Sequence, residues 1–337
     1  MDLGQLSSIA EAMVADSRGL LAADESTATI KKRFDGINVV STEDARRDYR
    51  EMLFRTPGLG EFISGAILYD ETIRQSAADG TPLVKILESW NILPGIKVDT
   101  GAKPLAGSDG ETVTEGLDGL TDRVAEYAEL GAKFAKWRAV IKIGESIPSA
   151  AAIHVNAHAL ARYAKICQEG GLVPIVEPEV LMDGDHTIED CAEVTEETLN
   201  AVYSELFAQD VMLEGTILKP NMVISGKDCP EQAGAGDVAS LTVAVLKRTV
   251  PSAVPGIMFL SGGQSEIQAT EHLNAMNANH SPLPWKLSYS YGRALQEGAL
   301  EAWGGDTANN EAAQARLLER ARLNSAACSA SYMGEAA

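Results

Sequence analysis

The sequence predicts a single closed (β/α)8 barrel, on three observations. Eight short apolar or β-branched runs alternate with helical patterns, as is typical of parallel-sheet folds. The 337 residues suit one barrel, because such barrels often exceed ~250 residues as a single domain. Polar residues recur on one face of several predicted strands, near the carboxyl ends. We therefore expect one TIM-barrel domain over 1–337, with its core at about 19–305 and a C-terminal helix and tail at 306–337.

The chain is predicted to begin with a helix. Leu3, Leu6, Ile9 and Met13 have helical spacing, and no basic flank or cleavage site marks a signal peptide. The predicted strands are 19–25, 63–69, 94–99, 134–143, 173–179, 214–221, 256–262 and 286–292. The clearest later helical patterns are 122–131, 150–171, 191–208 and 311–330. A doubly wound sheet would show a similar alternation, but no GxGxxG follows the first strand, which weakens a dinucleotide-binding interpretation.

Charge and composition exclude several classes of partner. The formal net charge of −20 argues against nucleic acids and anionic membrane surfaces, since both select basic proteins. The longest apolar runs are too short to cross a bilayer. Cys167, Cys191, Cys229 and Cys328 form no CxxC pair, and the sequence shows no secretion signal. We therefore expect reduced thiols in a cytoplasmic protein.

Strand alternation predicts a polar site inside the barrel. In 134–143, Ala135, Trp137 and Ala139 occupy an apolar face, which leaves Lys136 and Arg138 to point inward. The same reasoning gives further inward polar positions, namely Asp24, Lys97, Asp99, Glu177, Glu179, Lys219, Asn221, Ser261 and Ser290. Any one Lys–Glu couple is best explained as a structural ion pair. Several cations and carboxylates at matching strand ends favour a functional site instead.

This cluster is suited to amine chemistry without a cofactor. Because burial and a neighbouring cation both disfavour an ammonium, we expect one of Lys136 and Lys219 to have a pKa below ~10.4. A neutral lysine attacks a ketone and forms a Schiff base, which withdraws electrons from the adjacent carbon–carbon bond. Glu177 or Glu179 would transfer the protons of carbinolamine formation and dehydration. Asp24 would take a proton from a substrate hydroxyl.

Two anion sites are also predicted. The segments 260–265 (LSGGQS) and 290–294 (SYGRA) follow strands seven and eight, where barrels often bind phosphate. Their candidate ligands are Ser261, Gly262, Gly263, Ser290, Gly292 and Arg293. Across the barrel, Lys97 and Arg138 with Ser26 and Thr29 would hold a second phosphate. A doubly phosphorylated ketose fits such a site.

Long motifs resemble class I fructose-bisphosphate aldolases, from about Gly19 to about Cys328. They include LLAADES, GIKVD, FAKWRAVIKIGE, VPIVEPE, LEGTILKPNMV, GIMFLSGGQSE and SYGRALQ. The resemblance implies reversible cleavage of fructose 1,6-bisphosphate to dihydroxyacetone phosphate and glyceraldehyde 3-phosphate, in glycolysis and gluconeogenesis. It also implies a homo-oligomer, typically a tetramer, and no metal or other cofactor.

The resemblance assigns a role to each candidate residue. Lys219 would form the Schiff base, Lys136 would tune its charge, and Glu177 would be the acid and base for the imine steps. Glu179 would support Glu177 by a hydrogen bond, and Asp24 would act on the C4 hydroxyl. The C1 phosphate would be bound by Ser261, Gly262, Ser290, Gly292 and Arg293. The C6 phosphate side would have Ser26, Thr29, Arg33, Lys97 and Arg138.

The sequence departs from the animal pattern at two places. Animal members end in a tyrosine implicated in proton exchange at C3, whereas the last tyrosine here, Tyr332, precedes Ala337. We therefore expect slower exchange, or exchange through another group such as the released phosphate. Ala28 in STAT replaces a glycine of the usual STGS, while Thr29 keeps a hydroxyl.

Three alternative functions fit the sequence less well. A zinc aldolase needs clustered histidines, and the five present are His154, His158, His186, His272 and His280. His154 and His158 have ligand spacing but lie on a predicted outer helix, and His186 is expected at the rim of the site. Transaldolase and deoxyribose-phosphate aldolase also form a Schiff base on a lysine, but they have no reason for two phosphate sites and do not resemble these motifs. A non-catalytic scaffold or cytoskeleton-binding protein has no need for a buried set of catalytic residue types.

Overall fold

The computed structural model describes residues 3–335 and has a closed barrel of parallel strands, which confirms the predicted fold. Its strands are β1 (Gly19–Ala23), β2 (Ile63–Leu68), β3 (Leu93–Lys97), β6 (Phe134–Ile141), β7 (Val173–Val180), β8 (Ile217–Leu218), β9 (Gly256–Phe259) and β10 (Lys286–Tyr291). Around the barrel their order is β1, β10, β9, β8, β7, β6, β3 and β2. An antiparallel hairpin of β4 (Gly101–Pro104) and β5 (Thr112–Glu115), which the sequence did not predict, follows β3.

Helices surround the barrel, and one of them covers its lower end, where the strands begin. They are α1 (Leu3–Met13), α2 (Thr27–Gly36), α3 (Glu43–Phe54), α4 (Asp70–Arg74), α5 (Leu83–Ser89), α6 (Leu120–Glu129), α7 (Ala150–Glu169), α8 (Ile188–Ala208), α9 (Ala235–Thr249), α10 (Glu266–His280), α11 (Arg293–Trp303) and α12 (Asn310–Cys328). Every helix named in the sequence analysis is present, with bounds that differ by a few residues. Across residues 3–335, no helix combines the length and apolarity needed to cross a membrane.

Strand β8 is much shorter than predicted. Only two residues of the expected 214–221 form a ladder, and a 3-10 turn (Leu213–Gly215) precedes them. Pro220 has no N–H for a ladder hydrogen bond, which explains the early end of the strand. Lys219 still donates its backbone N–H to the Val176 carbonyl at 2.8 Å. The lysine therefore remains attached to β7 although it lies outside the strand.

The barrel interior is filled by apolar side chains below the polar site. Phe134 is fully buried at its centre, where Gly65 and Gly95 leave room for the ring. A Cβ on Gly95 would lie 2.1 Å from the Phe134 ring, too close for any larger residue. Helix α1 closes the lower end, and its apolar side chains form one core with the strand interiors, comprising Leu6, Ala10, Met13, Leu20, Ala22, Ile67, Val173, Ile175, Ile217 and Met258. The Leu3 side chain lies outside what the structure describes.

The outer faces of the strands pack against the helices. Trp137, Ala139, Val176 and Leu218 belong to this larger apolar cluster, as strand alternation predicted. The inward set on β6 and β7 alternates with it, so the parity argument is confirmed for these strands. The tail after α12 lies against α10, since the Tyr332 N–H donates to Asn274 Oδ1. Within the tail, the Tyr332 hydroxyl donates to Glu335. Ala337 lies outside the described residues.

Asn221 does not point into the barrel, so this part of the parity prediction is wrong. Its amide nitrogen donates to Thr195 Oγ1 at 3.1 Å, and its oxygen accepts from the Val180 N–H at 3.0 Å. Thr195 belongs to helix α8, on the outer side of the sheet. The chain has left the strand after Leu218, so period-two alternation no longer applies there. Asn221 thus ties this segment to β7 and α8.

Candidate active site

The carboxyl ends of the strands surround a cavity of about 740 Å³. This volume lies within the ~300–1,000 Å³ of small-molecule sites, and its place in the barrel is where barrel active sites occur. All residues predicted as catalytic or substrate-binding line it, namely Asp24, Ser26, Thr29, Arg33, Lys97, Lys136, Arg138, Glu177, Glu179, Lys219, Ser261, Gly262, Gly263, Ser290, Gly292 and Arg293. The barrel therefore brings together residues that are far apart in the sequence. Asp24 and Arg293, which are 269 positions apart, line the same cavity.

A buried chain of four charges lies at the centre of the cavity. Glu177 joins the two lysines, with one oxygen 3.0 Å from Lys219 Nζ and the other 3.3 Å from Lys136 Nζ. Lys136 Nζ is also 2.6 Å from Asp24 Oδ2. Lys136, Glu177 and Lys219 are each at most 4% exposed. Because two cations and two anions alternate, the cluster balances its charge without solvent.

The expectation that one of the two lysines has a lowered pKa does not apply to Lys136. Burial acts to lower the Lys136 pKa, but the carboxylates of Asp24, Glu177 and Asp99 outweigh it, and the pKa is raised. Burial acts to raise the Asp24 pKa, but Lys136, Lys219 and Lys97 lower it to about 2. The Glu177 pKa is lowered in the same way, by Lys136, Lys219 and Arg138 against burial. At neutral pH the free site thus contains an ammonium at Lys136 and carboxylates at Asp24 and Glu177.

The ends of β9 and β10 form a small polar pocket. Gly262 and Gly263 have φ of +53° and +85°, a conformation that glycine adopts without strain. Gly292 caps the N-terminus of α11, an eleven-residue helix that begins at Arg293. The buried Ser290 hydroxyl has no hydrogen-bond partner within residues 3–335. Hydroxyl, backbone N–H groups and guanidinium here all suit an anion.

Cations on the other side of the cavity already have carboxylate partners. Lys97 Nζ is 2.5 Å from Asp99 Oδ1, Arg138 pairs closely with Glu179, and Arg33 pairs closely with Glu25. Glu179 was expected to hydrogen-bond Glu177; its described contact is with Arg138 instead. The charge of Arg138 in turn helps to lower the Glu177 pKa.

Arg33 lies nearer to β10 than the sequence suggested. One of its terminal nitrogens is 3.6 Å from the point where a Cβ on Gly292 would lie. Ser26 caps α2 by accepting from the Thr29 N–H, and the two hydroxyls are 3.1 Å apart. Arg33, on the same helix, thus lies between the loop after β1 and the loop after β10.

Comparison with known proteins decides the family. The family model described as "Fructose-bisphosphate aldolase class-I" matches residues 5–337, almost the whole chain. The chain belongs to the class I fructose-bisphosphate aldolase family. It is a Schiff-base aldolase of the carbon–carbon lyase class that acts on a phosphorylated sugar, as the sequence predicted. No comparison supports the alternative of a non-catalytic scaffold.

Several aldolases are similar over most of their length. A probable fructose-bisphosphate aldolase class 1 of Xanthomonas campestris pv. campestris is 58% identical, covering 99% of this chain and 100% of that protein. The cytosolic fructose-bisphosphate aldolase 4 of Arabidopsis thaliana is 56% identical, over 95% of this chain and 81% of that protein. The structure of the Plasmodium falciparum aldolase, in complex with TRAP and a small molecule inhibitor, has a TM-score of 0.97 at 50% identity, over 98% and 96% of the two chains.

The histidines of this aldolase lie away from the cavity. His154 and His158 are on α7, and each has a ring nitrogen near Glu205 of α8, at 3.4 and 3.0 Å. His186 was expected at the rim of the site; it lines a separate depression beside Asp190. Among residues 3–335, no group of three or more His, Cys, Asp or Glu side chains is arranged to hold a metal ion.

Sequence reasoning missed three charged residues of the aldolase site. Glu25 accepts from Arg33, and its backbone carbonyl accepts from buried Arg50 at 2.7 Å. Asp183 and Lys227 line the cavity from the loops after β7 and β8. Glu25 could have been noticed as a second carboxylate directly after Asp24. Loop residues such as Asp183 and Lys227 carry no alternation signal, so strand parity does not identify them.

Asp24→Asn is expected to flatten the acid limb of the stability profile. The Asp24 pKa is about 2 when folded against an ordinary 3.8. Its contribution to the free energy of unfolding is therefore complete above the ordinary value and is lost as the pH falls through about 2. About 1 kcal/mol of it should be gone by about pH 3. Urea unfolding of both forms at about pH 5 and pH 3 measures this. Equal losses in both would contradict the assignment.

Proposed function

We propose that this aldolase cleaves fructose 1,6-bisphosphate with Lys219 as the covalent nucleophile and Glu177 as its proton-transfer partner. The observation that carries this proposal is the Glu177 carboxylate, which lies 3.0 Å from Lys219 Nζ and 3.3 Å from Lys136 Nζ. A carboxylate in that position accepts the proton that Lys219 must lose before it can attack a ketone. The neighbouring Lys136 remains protonated and keeps Glu177 ionised until that transfer.

The covalent steps follow from this arrangement. The neutral Lys219 amine adds to the C2 carbonyl, and the protonated Glu177 gives its proton to the departing hydroxyl, so that water leaves and an iminium remains. The C3–C4 bond then breaks, and its electron pair moves to the iminium nitrogen to give an enamine. Asp24 takes the C4 hydroxyl proton as the aldehyde forms. Protonation at C3 and hydrolysis of the iminium release dihydroxyacetone phosphate.

Lys136 and Asp24 are proposed to act as a pair. The two are 2.6 Å apart, and their mutual attraction holds Asp24 as a carboxylate. A base is useful at this point only in the ionised form, because it must accept a proton during bond cleavage. Lys136 therefore sets the protonation state of Asp24 as well as that of Glu177. Glu179 contributes by fixing Arg138, whose charge also reaches Glu177.

The phosphates are proposed to bind at opposite ends of the cavity. Ser261, Gly262, Gly263, Ser290, Gly292 and Arg293 would bind the C1 phosphate. The unpaired Ser290 hydroxyl and the α11 N-terminus support this. Ser26, Thr29, Arg33, Lys97 and Arg138 would lie toward the C6 phosphate, with Arg33 close enough to β10 to reach either group.

Borohydride trapping tests the nucleophile. The purified protein is incubated with dihydroxyacetone phosphate and borohydride in EDTA, and adducts are located by peptide mass spectrometry. We expect a reduced adduct on Lys219 and cleavage activity that persists in the chelator. An adduct on another lysine would overturn the assignment of Lys219. Loss of activity in EDTA without any adduct would overturn the Schiff-base mechanism.

We also propose a cytoplasmic homo-oligomer. Four free cysteines, three of them buried, suit a reducing compartment, and the similar Arabidopsis protein is named cytosolic. A tetramer follows from resemblance to the family. Light scattering that gives four times the chain mass of 35.8 kDa would support it.

A further inference from the structure

An ion pair at the cavity wall has no role in the proposed mechanism. Lys227 Nζ lies 2.5 Å from Asp183 Oδ1, and the two side chains are 51% and 52% exposed. Both line the same cavity as Lys219. A half-exposed ion pair stabilises a fold only slightly. The ion pair is therefore of interest for its position beside a proposed phosphate site, where it could take part in binding, rather than for its contribution to stability.

The backbone holds Lys227 in place. Its N–H donates to the Met182 carbonyl at 2.8 Å, and the Gly226 N–H donates to the His186 carbonyl at 2.9 Å. The Asp228 N–H donates to the Gly184 carbonyl, also at 2.9 Å. The loop after β8 is thus hydrogen-bonded to the loop after β7 on both sides of Lys227. These three hydrogen bonds fix the position of the Lys227 backbone beside the loop after β7.

The loop to which Lys227 is bonded contacts the β9–β10 end of the cavity. Met182, which accepts the Lys227 N–H, has its sulfur 2.7 Å from the point where a Cβ on Gly263 would lie. An Arg293 nitrogen is 3.3 Å from the same point. The Asp183 pKa is lowered, first by the hydrogen bond from Lys227 and further by the charges of Lys142 and Arg293. Asp183 therefore lies within the electrostatic reach of the cations on this side.

We propose that Lys227 is a further substrate-binding residue, whose ammonium moves from Asp183 to the C1 phosphate when substrate enters. The inference rests on the proposed function, because it assumes a phosphate at Gly262, Gly263 and Arg293. A phosphate dianion carries more charge than Asp183, and the exposed Lys227–Asp183 pair is cheap to break. Without substrate, the Lys227 ammonium pairs with Asp183. When substrate binds, Asp183 and the phosphate compete for this ammonium.

Kinetics of the condensation reaction test this role. Lys227→Gln is expected to raise the KM for dihydroxyacetone phosphate about three- to tenfold and to leave kcat within about twofold. Lys227→Arg should keep a near-normal KM. The KM for unphosphorylated dihydroxyacetone should not change in either variant. Lys247→Gln, at an exposed lysine on the outer helix α9, is the matched control for the lost charge.

Asp183→Asn gives a change in the opposite direction. Without the competing carboxylate, the KM for dihydroxyacetone phosphate should fall, and it should fall less in the Lys227→Gln background. A disrupted loop would instead raise KM in both cases.

Two outcomes would overturn the role of Lys227. One is an unchanged KM in Lys227→Gln while borohydride still traps substrate on Lys219. The other is an equal rise in KM for the phosphorylated and unphosphorylated substrates. Absence of trapping in the unmodified protein would instead refute the proposed function itself.

Discussion

Lys219→Ala is expected to lower kcat/KM for fructose 1,6-bisphosphate cleavage by roughly 10⁴- to 10⁶-fold. The proposed reaction passes through a covalent bond to Nζ, and a methyl group offers no substitute. The other amine in contact with Glu177, Lys136, is held protonated by Asp24 and Glu177, so it does not replace the nucleophile. Steady-state cleavage assays, together with loss of the borohydride adduct, measure the effect.

Two variants separate chemistry from folding in this test. Lys219→Arg keeps a cation beside Glu177 but forms no Schiff base, so it should be as inactive as the alanine variant while unfolding near the normal temperature. Lys247→Ala, at an exposed position on α9, should retain full activity. Residual activity within a hundredfold of normal in Lys219→Ala would contradict the covalent role.

Glu177→Gln is expected to have the second-largest effect, on both rate and stability. The substitution keeps the shape but removes the proton carrier, so kcat should fall about 10²- to 10⁴-fold. It also leaves buried Lys136 paired with Asp24 alone and removes the carboxylate that pairs with buried Lys219. Breaking a buried pair of this kind costs up to about 3–5 kcal/mol, and less where a lysine loses its proton. Single-turnover kinetics and thermal unfolding measure the two effects.

The matched control for this variant is Glu197→Gln, at an exposed position on α8. It removes the same charge far from the cavity and should alter neither kcat nor the unfolding temperature by much. Glu177→Asp adds a further check, because a shorter carboxylate restores the charge but not the reach to both lysines. A normal kcat in Glu177→Gln would show that another group transfers the protons.

Local sequence patterns predicted much of the fold and of the site. The alternation along 134–143 and 173–179 placed Lys136 and Glu177 inside the barrel and Trp137 and Val176 outside it, as found. This worked because side chains on a strand alternate with a period of two wherever the ladder continues. The same rule gave the wrong direction for Asn221, where the ladder had already ended.

Contacts between loops could not be predicted from strand alternation. The hairpin of β4 and β5, the Lys227–Asp183 pair and the burial of His186 all depend on segments without regular alternation. The partner of each charged side chain could not be predicted either. Strand alternation placed cations and carboxylates in one cavity, but it did not show that Glu179 would pair with Arg138 rather than support Glu177 directly.

Periodicity and long motifs are local properties of the chain, so they were enough to predict the barrel, the family and most of the polar groups that face the barrel interior. The pairing of cations with carboxylates inside the barrel depends instead on the folded chain as a whole. Lys136 and Glu177 lie within β6 and β7, whereas Asp24 and Lys219 directly follow β1 and β8. Their separations of 2.6 to 3.3 Å depend on how these four strands are staggered around the barrel. At such distances in a buried site, electrostatic interactions outweigh burial, and Lys136 therefore keeps its proton.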